Sequence, residues 1–579
     1  MVDRVIVGGG NAQRGQWWKR MRYLGDLLSL RERLLVGGCG LVIVVSLGFM
    51  GIYRYLSLTT VVPVSGGEYT EALVGQPQYV NPVLAQNNDV DLDLTRLLFS
   101  SLFVRNKDQK LEKDLVSDYT VSDNQLIYTF FIRRDATWHD GQPLTANDVL
   151  FTIQAIQDPA YQSPLEPSLR GVQAALVDDY TITLTLKEPF APFLSGLTFG
   201  ILPQHIWAMA YNSSLQNVTL SEYNTRPIGS GSWQFSELTK DSSGSLISYS
   251  IVPYEKYFGT KPYLEKITYK FYADSASAVL ALQNKAVDGV AFINPEQKKV
   301  LQDSYRTMAY YRLQLPQYTA IFFNEDHSDI LAQKKVRSAL IWGVDRDRII
   351  KEALQGEGEP IYAPILPGYL GYNPEINKYG FDVAKGSSLL DEAGWKLTDG
   401  NPYRTKDGKT LEFSIATVNQ PHYVKALTIL QENWIKMGIK VNVNMYEALD
   451  IQEQIIKPRE YEALLFGETL GVDPDPYAFW HSTQMKYPGL GLAVFYQKNI
   501  DDLLETARKT NAEEQRRLKY FNFQNILAEE LPAVFLYNPY YTYIMTPDIQ
   551  GVGFQYIDTP SDRLADLTHW YIDTKRIWR

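Results

Sequence analysis

The chain has almost no cysteine. Cys39 is the single one among 579 residues, so no internal disulfide can form, no thiolate cluster can hold a metal, and the compartment is not revealed by cysteine usage. Histidine is sparse too: His139, His205, His327, His422, His481 and His569 are scattered, with no pair at metal-ligand spacing. The expectation is therefore no cofactor and no structural metal. Nucleophile signatures are missing as well, with no Gly-x-Ser-x-Gly, no His-Glu-x-x-His and no cysteine after residue 39. The glycines of PIGSGSWQF (residues 227–235) are not followed by Gly-Lys-Ser/Thr, which excludes a phosphate-binding P-loop. Gly8-Gly9-Gly10 lacks the later glycine of a dinucleotide fingerprint. No internal repeat and no low-complexity segment is present, and Ser242-Ser243-Gly244-Ser245 reads as a hairpin tip.

Positive charge is concentrated in one place. Residues 1–33 carry seven basic side chains (Arg4, Arg14, Lys19, Arg20, Arg22, Arg31, Arg33) against three acidic ones (Asp3, Asp26, Glu32). That segment is net +4 within an overall −10, so the remainder carries −14, which argues against a nucleic-acid partner. Next comes LLVGGCGLVIVVSLGFMGIY, residues 34–53, without a charge. At about 1.5 Å per residue it spans roughly 30 Å, the hydrocarbon thickness of a bilayer. The positive-inside tendency keeps the N-terminus cytoplasmic and puts everything after the run outside. The run is long for a cleaved signal, and no Ala-x-Ala site follows it. Most of it lies after Cys39 rather than before, the reverse of a lipobox. The expectation is an uncleaved single-pass anchor, followed by a short linker over 54–65.

The composition is that of a folded body with a large core. The chain is 45% hydrophobic and 21% charged, as globular proteins are, and its length allows several structural units at about 150 residues each. Aromatic residues reach 13%, with 39 Tyr and 11 Trp; these suit a large core or a pocket with flat, stiff walls.

Residues 125–156 (QLIYTFFIRRDATWHDGQPLTANDVLFTIQAI) are the most legible stretch. Residues 126–132 are apolar on both alternating faces, which predicts a doubly buried strand. Asp140-Gly141 is a turn pair. Thr145 to Asp148 has the form of a capping box, and Val149, Ile153 and Ile156 then recur at helical spacing until Asp158-Pro159 stops the run.

Further segments occur in a definite order: GGEYTEALVGQPQYVNPVLAQNNDVD, LLFSSLFVRN, PIGSGSWQF, YEKYFGTKPYLEKITY, TAIFFNEDHSDILAQKKVRSALIWGVDRDRII, LLDEAGW, MGIKV, EALLFGETLGVDPDPYAFW and LPAVFLYNPYY. Together with residues 126–151 they cover about residues 66–555. In that order they resemble the family 5 extracellular solute-binding proteins, the oligopeptide- and dipeptide-binding components of ABC importers.

The resemblance implies an α/β, bilobal, periplasmic-binding-protein-like type II fold with an extra domain, preceded here by the transmembrane helix. Two crossing strands would join the lobes. The implied boundaries are 66–90, 225–315 and 535–579 for the lobe I core, 91–224 for the extra domain, and 316–534 for lobe II. A short peptide would be held between closing lobes as an added strand, with its side chains in hydrated pockets. A monomer would deliver it to a permease driven by cytoplasmic ATPases. Close relatives in the family bind metal chelates, haem, sugars or opines instead.

One departure concerns the ligand's amino terminus, which peptide-binding relatives meet with the first aspartate of a DYpDP-like motif. Aligning Asp475-Pro476 with the final pair puts Val472 at that position, with Asp473 one residue later and, in an extended segment, on the opposite face. Asp473 and Asp475 are thus candidate ligand residues that equally suit turn and capping work. Tyr79, Asn81, Tyr318, Phe322 and Trp480 are further candidates, each equally at home in a core. Two other classes stay open: a carboxylate-based hydrolase, for which no carboxylate pair stands out, and a membrane-bound peptide sensor.

Overall fold

A computed structural model describes residues 29–85, 88–107, 110–211, 215–304, 307–471, 473–553 and 556–579. They fall into a small unit, made by the residues up to Val64 with Asp573–Arg579, and a large unit, Ser65–Ile572.

The small unit is built on helix α1, Leu30–Leu58, none of whose residues is buried. It outruns the uncharged stretch at both ends. A capping box starts it: the Ser29 backbone N–H and hydroxyl both donate to Glu32, at 2.9 and 2.8 Å. The supposed linker is also ordered, since Thr59–Pro63 pairs antiparallel with Thr574–Trp578.

Among the described residues the large unit contains a 12-stranded sheet, a four-stranded sheet and two two-stranded ribbons. In chain order its first half carries β1 (Glu68–Val74), α2 (Asp89–Leu98), β2 (Val116–Val121), β3 (Ile127–Ile132), α3 (Ala146–Gln157), β4 (Gln173–Asp178), β5 (Thr181–Thr185), β6 (Trp233–Lys240), β7 (Leu246–Pro253), β8 (Lys266–Tyr272) and β9 (Gly289–Ile293). Then come β10 (Ala309–Gln314), β11 (Gln317–Phe323), α4 (Lys334–Trp342), β12 (Gly358–Pro360), β13 (Glu412–Val418), α5 (Pro421–Lys436), β14 (Lys440–Tyr446), β15 (Ala463–Thr469), α6 (Lys498–Arg508), α7 (Glu513–Glu530) and β16 (Ala533–Met545).

One lobe is organised on the order β6-β7-β8-β1-β9-β16, the other on β14-β13-β15-β11-β16. The 13-residue β16 therefore belongs to both. Its residues 540–545 pair with β10, and its residues 533–537 pair with β11. Between the two ladders, residues 315–318 and 538–539 are not paired with each other, and each break contains a proline, Pro316 and Pro539. Proline carries no N–H for a ladder, so the interruption is chemical as well as geometric. β10–β11 and β16 are thus the two crossings between lobes.

The cores separate accordingly. One cluster contains Tyr69, Leu98, Trp138, Trp233, Tyr269 and Trp570; the others around β11–β16 contain Phe323, Trp434 and Leu465, or Phe322, Trp480 and Phe535. Within the first lobe, fully buried Arg563 ties β1 to α2 through Glu71 (2.9 Å) and Asp93 (2.5 Å).

The extra four-stranded sheet, β2-β3-β5-β4, shares the first lobe's hydrophobic cluster. Here the doubly buried strand is corrected. In β3, Tyr128, Phe130 and Ile132 are buried, but Ile127 and Phe131 are exposed, because the sheet packs inward on one face only. The local signals behave as read: Gly141 has φ +87°, Asp140 caps the turn, and the Thr145 N–H donates to Asp148 at 2.8 Å. The glycines of PIGSGSWQF do more than turn the chain. A Cβ on Gly229 would lie 1.8 Å from the Leu98 carbonyl oxygen, and one on Gly231 2.2 Å from that of Leu97, so the end of α2 seats directly on their backbone.

Candidate functional site

Two cavities are lined by residues from both lobes beside the crossings. The larger, about 840 Å³, takes Arg105, Lys107, Lys110, Tyr556 and Asp558 from one side and Tyr369, Asp473 and Arg516 from the other. The second, about 610 Å³, takes Phe292 and Asn294 from the end of β9, Gln317, Thr319, Tyr537 and Tyr541 from the crossings, and Gln420, His422 and Tyr423 from the start of α5. Burial pushes the Tyr423 hydroxyl up to about 12 and the His422 ring down, so both are neutral walls at pH 7.

An open strand edge lies at this place. β15 pairs with β13 only over Ala463, Leu464 and Leu465, whereas its pairing with β11 runs the full length to Thr469. Among the described residues, 466–469 are therefore laddered on one side only. Such an edge presents backbone donors and acceptors to an extended chain.

The 473–475 segment is held by arginines. Both Asp473 oxygens accept from Arg516 of α7, Oδ2 at 2.8 Å, and the pair is nearly buried. Arg516 also donates to the Tyr520 hydroxyl at 2.9 and 3.1 Å. Asp475 accepts from Arg508 of α6 at 2.6 Å and caps the Tyr477 N–H at 3.2 Å, so its turn role is real. Val472, at the aligned amine-binding position, lies outside the described residues. Across the larger cavity, Asp558 accepts from the Tyr369 hydroxyl at 2.7 Å and sits 3.3 Å from Arg105; burial pushes its carboxyl up to about 6.

The other anticipated residues divide. Tyr318 borders the second cavity but is fully buried in the same cluster as Phe322 and Trp480, and its hydroxyl donates to Glu468, whose carboxyl is pushed up to about 8 by burial. Phe322 and Trp480 are core: their rings lie 6.3 Å apart, and Trp480 also meets Phe535 and Phe523. Asn81 is fully buried and caps its own turn by accepting from the Val83 N–H at 3.0 Å. Tyr79 is half-buried, with its N–H donating to Asp91 at 2.9 Å; neither it nor Asn81 lines either cavity. Reading the sequence missed Arg105, Tyr369, Arg516 and Asp558. The one available signal was Arg516, a charge on the buried stripe of α7 that continues through Tyr520, Phe523 and Leu527.

The chain is similar to known binding proteins. Oligopeptide-binding protein AppA of Bacillus subtilis is 28% identical over 528 residues, covering 88% of this chain and 92% of AppA. The structure of AppA in complex with a nonapeptide matches with a TM-score of 0.66 at 27% identity, covering 88% of this chain and 100% of that one. NikZ from Campylobacter jejuni, in complex with Ni(L-His), matches with a TM-score of 0.68 at 25% identity, covering 87% and 99%. The model for bacterial extracellular solute-binding proteins, family 5 (Middle), matches residues 110–487. With those residues inside the two-lobed body, the chain belongs to family 5 of the bacterial extracellular solute-binding proteins, binding proteins of ABC importers rather than enzymes.

Proposed function

We propose that the protein is a membrane-anchored extracytoplasmic substrate-binding protein that captures peptides between its two lobes and delivers them to an ABC permease for import. The observation that carries this reading is the one-sided ladder at 466–469, beside cavities walled by both lobes. A peptide backbone there would add a strand, which is tolerant of sequence, and closure would favour the loaded form. The similarity to AppA over 88% of the chain supports the ligand class. Residues 34–53 of α1 would cross the bilayer, with residues 1–33 cytoplasmic and the body outside. The body would act as a monomer, docking on permease subunits driven by cytoplasmic ATPases.

The second reading is a non-peptide ligand, favoured by one observation: Asp473 is already occupied by Arg516, so no carboxylate of that segment is open to an amine. The six scattered histidines, with no pair at metal-ligand spacing, weigh against direct ligation of a metal by the protein. Native mass spectrometry of the full chain, released gently from its own membranes, separates the readings. A ladder of co-purifying masses that fragments into peptides is expected. A single non-peptide mass would retain the family and overturn the ligand class.

A further inference from the structure

The ribbon beside α1 joins two segments that are distant in sequence. Thr59 stands opposite Trp578 and Val61 opposite Arg576, so these four share one face. The Arg579 N–H donates to the Leu58 carbonyl at 2.9 Å, which brings this strand back to the last turn of the helix. There the Trp578 ring meets Tyr55 edge to face at 5.9 Å, and Arg576 lies over the same tyrosine while donating to the Thr59 hydroxyl at 2.7 Å. Tyr53, Trp578, Lys575, Arg576 and Arg579 are all exposed.

The level of this cluster is set by the helix. About 20 residues fill a hydrocarbon core, and the uncharged run 34–53 is that long. Arg54 is the first charge after it, so Tyr55 to Leu58 stand in the headgroup layer. Tyrosine and tryptophan prefer that layer, where an apolar body and a polar tip are both satisfied. Lys575, Arg576 and Arg579 add three cations beside Arg54, with Asp573 the one acidic residue of 573–579. Each cation near an anionic lipid surface is worth about fivefold in partitioning.

We propose that strand Thr574–Trp578 is a membrane-interface anchor, seated among anionic headgroups of the extracytoplasmic leaflet, with Trp578 and Arg576 on the face that meets Tyr55 and Lys575 reaching headgroups from the other face. This rests on α1 being a retained transmembrane helix.

The test uses the full chain with Cys39→Ser, reconstituted in phosphatidylglycerol-containing vesicles, with single spin labels at Val44→Cys, Ser243→Cys and Ile577→Cys. Ser243 is an exposed hairpin position and reports water. The label at 577 is expected to be several-fold less accessible to a water-soluble nickel chelate than that at 243. Trp578→Ala with Arg576→Glu and Lys575→Glu should restore its accessibility while the label at 44 stays in hydrocarbon. A label at 577 as accessible as that at 243, with 44 in hydrocarbon, overturns the interface anchor alone. A water-accessible label at 44 overturns the transmembrane reading and this inference with it.

Discussion

Arg516 grips Asp473 through both carboxylate oxygens, with Nη1 2.8 Å from Oδ2, where side-chain exposure is 6% for the arginine and 15% for the aspartate. Removing one partner of such a pair strands a charge away from water. Arg516→Met is expected to cost about 3 kcal/mol of stability, and the double variant with Asp473→Asn to recover most of that. Denaturant midpoints of the two singles and the double measure the coupling. Additive losses would show that the pair is not a unit.

A carboxylate already satisfied by a guanidinium has little left for an ammonium group. Acetylating the amino terminus of a bound peptide is therefore expected to change its affinity by no more than about threefold, under about 0.7 kcal/mol. Titration calorimetry with matched free and acetylated peptides reads this directly. A hundredfold loss on acetylation would mean that Asp473 leaves Arg516 for the ligand.

Glu468 gives the fold a pH dependence. Its carboxyl is raised from the ordinary 4.5 to about 8, chiefly by burial, and Oε1 has no hydrogen-bond partner among the described residues. It stays protonated in the folded chain while the unfolded chain releases the proton. Its contribution is whole below 4.5 and is lost as pH rises to about 8, at up to about 1.4 kcal/mol per unit. Glu468→Gln should flatten that part of the stability profile, and an unchanged slope would place the titration elsewhere.

Trp480 is 4% exposed among Phe322, Phe523 and Phe535. Trp480→Ala is expected to cost about 3–5 kcal/mol of stability through lost burial and the cavity left behind. Lost affinity with an unchanged unfolding midpoint would instead make it a ligand contact.

Gly229→Ala should be severe for a different reason. The new methyl would lie 1.8 Å from the Leu98 carbonyl oxygen, backbone against backbone, which no rotamer change relieves. A loss of about 3 kcal/mol or more is expected from overpacking, whereas Gly244→Ala meets nothing within 4 Å and carries only the strain of φ +88°. Thermal unfolding of the two variants side by side checks the contrast.

Features specified by neighbours in sequence were readable. The Asp140-Gly141 turn and the Thr145 capping box need only residues within four positions, and both take the expected form. Features specified across the fold were not. Phe131 looks as apolar as Phe130, and only the one-sided packing of its sheet exposes it. Asp473 was visible as a carboxylate, but the arginine that claims it is 43 residues away on another element. Trp480 and Phe322 were ambiguous because a flat apolar ring serves a core and a pocket by the same physics. Tyr369, Asp558 and Arg105 meet only after three distant segments converge.

The break in pairing at Pro316 and Pro539 bears on where the two lobes can bend relative to each other. Bending there changes a few torsions at two places and leaves the ladders 309–314 with 540–545, and 319–322 with 533–537, as they are. On β16 the break is still paired along its other edge, where Gly358–Pro360 lies against residues 537–539, so a bend at Pro539 has to carry or release that three-residue ladder.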